Sequence, residues 1–137
     1  MQKEANAMFT IVTDTSANLP TGYLQQEQIA VVPFTFHDDA GEQACLDLTT
    51  FEAKDFYDRM RRGEKVTTSQ IPPQRFVDAL TPMLERGEDV LFVSMSSGIS
   101  GSYASGKIAA QELQEQFPDR NILFVDTYSA SLGEGLL

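Results

Sequence analysis

The chain has 137 residues, 42% of them hydrophobic, and carries 20 acidic against 10 basic residues for a formal charge of −10. That length holds one domain with a buried core. The acidity, with no basic cluster larger than Arg59 with Arg61-Arg62, argues against nucleic acid as a partner and against an anionic membrane surface, so an apolar ligand would have to be taken into a pocket. One cysteine (Cys45) and one histidine (His37) form neither an internal disulfide nor a structural zinc site. No metal or cofactor is expected, and the cysteine usage points to the cytoplasm. No stretch approaches the length of a membrane span, and the N-terminus is too polar for a signal peptide. Residues 1–8 read as an N-terminal extension ending at a start-like Met8, and 9–137 as the domain.

In chain order, Phe9-Thr10-Ile11-Val12-Thr13 reads as a short buried strand, left through the polar turn Asp14 to Pro20. A second strand covers 29–36, with Pro33 marking an edge or a bulge. It turns at Asp38-Asp39-Ala40-Gly41 and returns through Ala44-Cys45-Leu46, a short hairpin near residues 29–48. Thr49-Thr50-Phe51-Glu52 fits a capping box, followed by a helix with Ala53, Phe56, Tyr57 and Met60 on one face and Gly63 as its stop. Val66 to Pro73 is a possible short strand and a polar loop. The next helix presents Phe76, Val77, Leu80 and Leu84, with Pro82 expected to kink it. A strand at 89–93, a serine loop, a helix expected to bury Ala104, Ile108, Leu113 and Phe117, and a strand at 121–126 follow. Strands alternating with helices predict an α/β fold, a parallel sheet flanked by helices. After Asp126 comes a polar loop and the opening turns of an apolar helix through Leu132, Leu136 and Leu137, which reads as a chain cut short.

Three polar loops are expected at the C-terminal ends of strands: Asp14-Thr15-Ser16, Thr67-Thr68-Ser69-Gln70, and Ser96 to Ser102. Ligands of open parallel sheets bind at that edge. The run Ser94 to Tyr103 holds five serines and two glycines. Small residues admit a ligand to the backbone, hydroxyls donate hydrogen bonds, and the first turn of a helix leaves N–H groups unpaired. Those features suit an anion; they equally suit serines that cap their own helix. Two enzymatic readings compete. Gly101 to Lys107 has most of the spacing of a P-loop, yet Ile108 stands where a magnesium-binding hydroxyl belongs. A serine hydrolase or acyltransferase working through Ser96 to Ser102 lacks the Gly-x-Ser-x-Gly elbow, and His37, its base, falls in the hairpin. Cys45 reads as a buried hydrophobe.

The order Ile11 to Pro20, Val31-Val32-Pro33, Thr68-Ser69-Gln70, Ser96 to Tyr103, Val125-Asp126-Thr127 and Ser131 to Gly135 resembles the DegV family across residues 9–137. The resemblance implies the N-terminal α/β lobe of a protein that binds a long-chain fatty acid. It further implies the carrier subunit of a fatty acid kinase, whose partner makes an acyl phosphate for phospholipid synthesis, and no enzyme by itself. By the same resemblance the carboxylate lies at Thr68 and Ser100. Ser69, Ser97, Gly98, Gly101, Asp14 and Ser16 complete the candidate ligand-binding set. Ile71 and Pro72 stand where the family has Pro then Ser, Thr15 replaces a common Ser, and Ser102 a common Thr. Family members carry a second lobe that covers the ligand. Without it, this chain is expected to bind fatty acid weakly and to hide apolar surface by pairing as a homodimer or by aggregating.

Overall fold

The computed structural model describes residues 9–45 and 51–137. In chain order the elements are β1 (Phe9–Asp14), a 3₁₀ turn (Thr15–Ala17), α1 (Thr21–Gln26), β2 (Ala30–Val32), β3 (Thr35–Asp38), β4 (Gly41–Ala44), α2 (Ala53–Arg61), β5 (Thr67–Ser69), α3 (Pro73–Glu85), β6 (Asp89–Ser94), α4 (Ser102–Gln116), β7 (Ile122–Asp126) and α5 (Leu132–Gly135). The fold is α/β, a four-stranded parallel sheet in the order β2-β1-β6-β7 with helices against it. Beside it stands a second sheet, three antiparallel strands in the order β4-β3-β5.

Register assigns the faces of the parallel sheet. Val12, Phe92 and Phe124 align across three strands and point one way, beneath α3 and α4. Phe92 and Phe124 stack with centroids 4.7 Å apart, and Phe76 of α3 meets both rings edge-on. Phe76, Val77, Leu80 and Leu84 are buried, as the helical spacing requires. The opposite face leaves Phe9, Ile11, Leu123 and Val125 exposed. Pro82 lies within the last turn of α3, which continues to Glu85.

Three sequence expectations are corrected. The single strand at 29–36 is two strands in two sheets: the chain leaves the parallel sheet after Val32 and enters the antiparallel one at Thr35. Pro33 has no N–H for a ladder, and the Phe34 N–H donates to Thr15 Oγ1 at 3.0 Å, so the run is broken at the dipeptide that changes sheets. Second, Thr67-Thr68-Ser69 is not a loop leaving a parallel strand but is itself β5, paired with β3. Third, α4 does not bury Ala104 or Ile108. Ile108 is 56% exposed, and the buried stripe is Ser102, Ser105, Gly106, Ala109, Ala110 and Leu113. Small residues carry this contact because the Phe124 ring occupies the space of a side chain at Gly106, where a Cβ would lie 2.2 Å from a ring carbon.

The hairpin forms at β3–β4, closed by Gly41 at φ +105° and by the Ala40 N–H donating to Asp38 Oδ1. Its return ends at Ala44; Leu46, with Thr49 and Thr50 of the expected capping box, lies outside the described residues. On α2 only Phe56 of the expected apolar face is even partly covered, while Tyr57 and Met60 are exposed. Gly63, at φ +100°, follows the helix end as expected.

Candidate functional site

The two sheets enclose a cavity of about 930 Å³. Its floor is the exit from β1, residues 13–19, and one wall is the crossover between sheets, Phe34 to Phe36, with Gln43 to Cys45. Phe51, Phe56 and Val66 close another side, and β5 (Thr68, Ser69, with Gln70 after it) faces the serine loop at Ile99, Ser100 and Gly101. Phe56 meets Phe36 edge-on at 5.5 Å and Phe51 at 5.2 Å, which makes that wall aromatic. Thr68 stands opposite Phe36 in the β3–β5 pair, so hydroxyls border that wall.

Six of the eight candidate residues line this one cavity: Asp14, Ser16, Thr68, Ser69, Ser100 and Gly101. Thr68 arrives by a different route from the one expected. The antiparallel sheet, rather than the edge of the parallel one, carries it there. Ser97 and Gly98 lie outside the lining, and their N–H groups are engaged internally: Ser97 N–H donates to Asp126 Oδ1 at 3.1 Å and Gly98 N–H to Ser96 Oγ at 3.1 Å.

Asp14 is 1% exposed and tied on both oxygens, Oδ1 to the Ser16 N–H at 2.9 Å and Oδ2 to the Met95 N–H at 3.0 Å. It joins the ends of β1 and β6. Ser16 donates its hydroxyl to Glu134, which also accepts from Thr13 Oγ1 at 3.2 Å. Glu134 is 1% exposed. Burial pushes its carboxyl up to about 7, the neighbouring Asp14 carboxylate adds to the shift, and the Ser16 hydroxyl opposes it. Gly135 lets α5 approach the 3₁₀ turn, since a Cβ there would lie 2.5 Å from the Ala17 carbonyl oxygen.

The serine loop is held from within. Ser102 N–H donates to Ser100 Oγ at 3.1 Å, the two hydroxyls are 2.9 Å apart, and Ile71 N–H donates to Ser102 Oγ at 2.9 Å. Gln70 lies across Gly101, where a Cβ would meet its Oε1 at 1.9 Å, and its Nε2 donates to Ser105 Oγ at 3.4 Å. A side chain at 101 would displace the end of Gln70 from this position.

Sequence reasoning missed the aromatic wall, the role of Gln70 and the buried Glu134. Alternation along β3 could have exposed Phe36 as an inward residue; nothing local marks Glu134, whose partners lie more than a hundred positions earlier. Cys45 lines the cavity, and burial pushes its thiol up. His37 stands on β3 with Nε2 3.3 Å from Ser69 Oγ, apart from the loop that a hydrolase would use. The P-loop-like residues after Gly101 are the first turns of α4 and form no phosphate-binding loop, and Lys107 is exposed. Among the described residues no cluster of ligands fit for a metal ion occurs, and no helix is long and apolar enough to cross a membrane.

A family model described as "Uncharacterised protein, DegV family" matches residues 8–137, so the chain belongs to the DegV family. A DegV domain-containing protein of Clostridium perfringens is 36% identical over 129 residues, spanning 94% of this chain and 44% of its own length. The chain spans about half the length of several curated relatives that it matches. Among solved structures, a fatty-acid-binding DegV family protein of Thermus thermophilus superposes with a TM-score of 0.80 at 32% identity, over 94% of this chain and 44% of that one. A stearic acid-binding protein of Eubacterium ventriosum gives 0.82 at 25% identity, with the same coverage.

Proposed function

We propose that this chain binds a long-chain fatty acid in the cavity between its two sheets. The carboxylate sits at Thr68 and Ser100, with Ser69 and the Gly101 backbone beside them, and the acyl chain runs along Phe34, Phe36 and Phe56. Asp14, Ser16, Ser97 and Gly98 hold the frame of the site. The carrying observation is a single cavity that brings the hydroxyls of β5 and the serine loop together with an aromatic wall, Thr68 standing opposite Phe36 in the β3–β5 pair, in a chain whose relatives from Thermus thermophilus and Eubacterium ventriosum bind fatty acids.

The energetics support this division of labour. About fifteen methylenes contribute on the order of 12 kcal/mol of gross burial, so the polar end need only avoid stranding the carboxylate. Hydroxyls and backbone N–H groups do that without a buried cation, and they leave the headgroup loosely held. Loose holding suits a carrier. The chain performs no catalysis on this reading and presents the acid to a kinase partner that forms the acyl phosphate.

The chain is expected to take up fatty acid added in excess, detectable by native mass spectrometry, and to remain unlabelled by a fluorophosphonate. Labelling at a loop serine would reverse the assignment in favour of a hydrolase. The uncovered face with Phe9, Ile11, Leu123 and Val125 supports self-association, which sedimentation reads directly.

A further inference from the structure

We infer that Ser102, buried behind the cavity wall, is the positioning residue that leaves the one hydroxyl proton of Ser100 free for the ligand. The inference rests on reading Ser100 as a headgroup contact. A carboxylate accepts hydrogen bonds and donates none, so a serine beside it helps only when its single hydrogen points at the ligand. Where that hydrogen goes is settled by the partners behind it.

Ser100 Oγ accepts the Ser102 N–H at 3.1 Å and lies 2.9 Å from Ser102 Oγ. Ser102 Oγ in turn accepts the Ile71 N–H at 2.9 Å. Ser102 is 0% exposed, and among the described residues its hydroxyl has these two partners, Ile71 N–H and Ser100 Oγ. Two directions are conceivable for the bond between the serines. If Ser100 donated, Ser102 Oγ would accept twice and strand its own hydrogen in a dry site. If Ser102 donates, every buried group is satisfied. The chain of donors then runs from Ile71 N–H through Ser102 O–H to Ser100, whose lone pairs are both filled and whose hydrogen can only leave toward the cavity that Ser100 lines. Each bond in such a chain polarises the next.

Capping and ligand binding therefore do not compete for Ser100. The helix uses its lone pairs, including one for an otherwise unpaired N–H of the first turn of α4, and the ligand uses its hydrogen. The same joint ties the segment after β5 to the serine loop, because Ile71 follows Gln70, whose side chain lies across Gly101.

The test compares palmitate with hexadecanol in displacing a fluorescent fatty acid, since the alcohol fills the same apolar volume without a carboxylate. Wild type is expected to prefer palmitate, and Ser100→Ala to lose that preference. Ser102→Ala is expected to lower palmitate affinity about tenfold while hexadecanol changes little, and Ser102→Thr, which keeps the hydroxyl, to restore the wild-type ratio. Ser102→Cys, nearly isosteric but a weak donor and acceptor, makes the same comparison should the alanine variant not fold. A Ser102→Ala or Ser102→Cys ratio equal to wild type, with Ser100→Ala still impaired, overturns the inference and leaves the headgroup assignment standing. An unchanged ratio in Ser100→Ala overturns the headgroup assignment itself.

Discussion

Replacing Glu134 by Gln should remove a pH dependence of folding that the wild type carries. The native carboxyl is raised from 4.5 to about 7, chiefly by burial and then by the Asp14 carboxylate. A group raised in this way keeps its proton in the native state over a range where the unfolded chain has lost it, so stability is full below about 4.5 and declines as pH rises through about 7. Two and a half units correspond to an upper limit of roughly 3 kcal/mol. Gln copies the protonated form: its oxygen accepts from the Ser16 hydroxyl and its amide nitrogen can face Asp14. Thr13 loses little, because its hydroxyl already reaches the Val93 carbonyl at 2.9 Å. Urea denaturation of both proteins at half-unit steps between pH 5 and 8.5 measures the difference. The wild type should lose up to about 3 kcal/mol across that range and Glu134→Gln should stay nearly level, becoming the more stable of the two at pH 8. Parallel curves for the two proteins would refute the buried-acid argument.

Three further outcomes are expected. Ser100→Ala weakens fatty acid binding by about 1–2 kcal/mol with an unchanged circular dichroism spectrum, because one charge-assisted hydrogen bond is lost and the acyl wall is untouched. Gly106→Ala destabilises by about 1–3 kcal/mol in denaturant titration despite the better helix propensity of alanine, since its Cβ would lie 2.2 Å from the Phe124 ring. Cys45 reacts more slowly with iodoacetamide when palmitate is bound, a protection that follows from its place in the cavity wall; equal rates would remove it from that wall.

Residues with a strong local signal were legible from sequence alone. Alternating helices and strands with apolar cores predict the parallel sheet, and Phe76, Val77, Leu80 and Leu84 fall on the buried face of α3 as their spacing requires. What local pattern does not carry is which sheet a short strand joins. Val31 to Phe36 is apolar apart from Thr35, and only the missing N–H of Pro33 hints that the chain changes sheets there. The three residues of β5 are all exposed, so Thr67-Thr68-Ser69 shows no burial rhythm, and the short strand expected near it carries no sign of which sheet it joins. On α4 the hydrophobicity pattern misleads, because the helix is buried through serine, glycine and alanine while Ile108 faces outward. The site shows the same division. Serine and threonine clusters marked its hydroxyls, whereas its aromatic wall draws on Phe36, Phe51 and Phe56, whose rings meet only once the second sheet exists.

Titrating the isotopically labelled chain with palmitate and following its amide resonances by two-dimensional NMR tests the central assignment most directly. The shifts are expected at Phe34 to Phe36, Thr68 to Gln70 and Ile99 to Gly101, approaching saturation as palmitate is added in excess. Absence of saturable shifts, or shifts confined to the open sheet face around Phe9, Leu91 and Leu123, would contradict a fatty acid site between the two sheets.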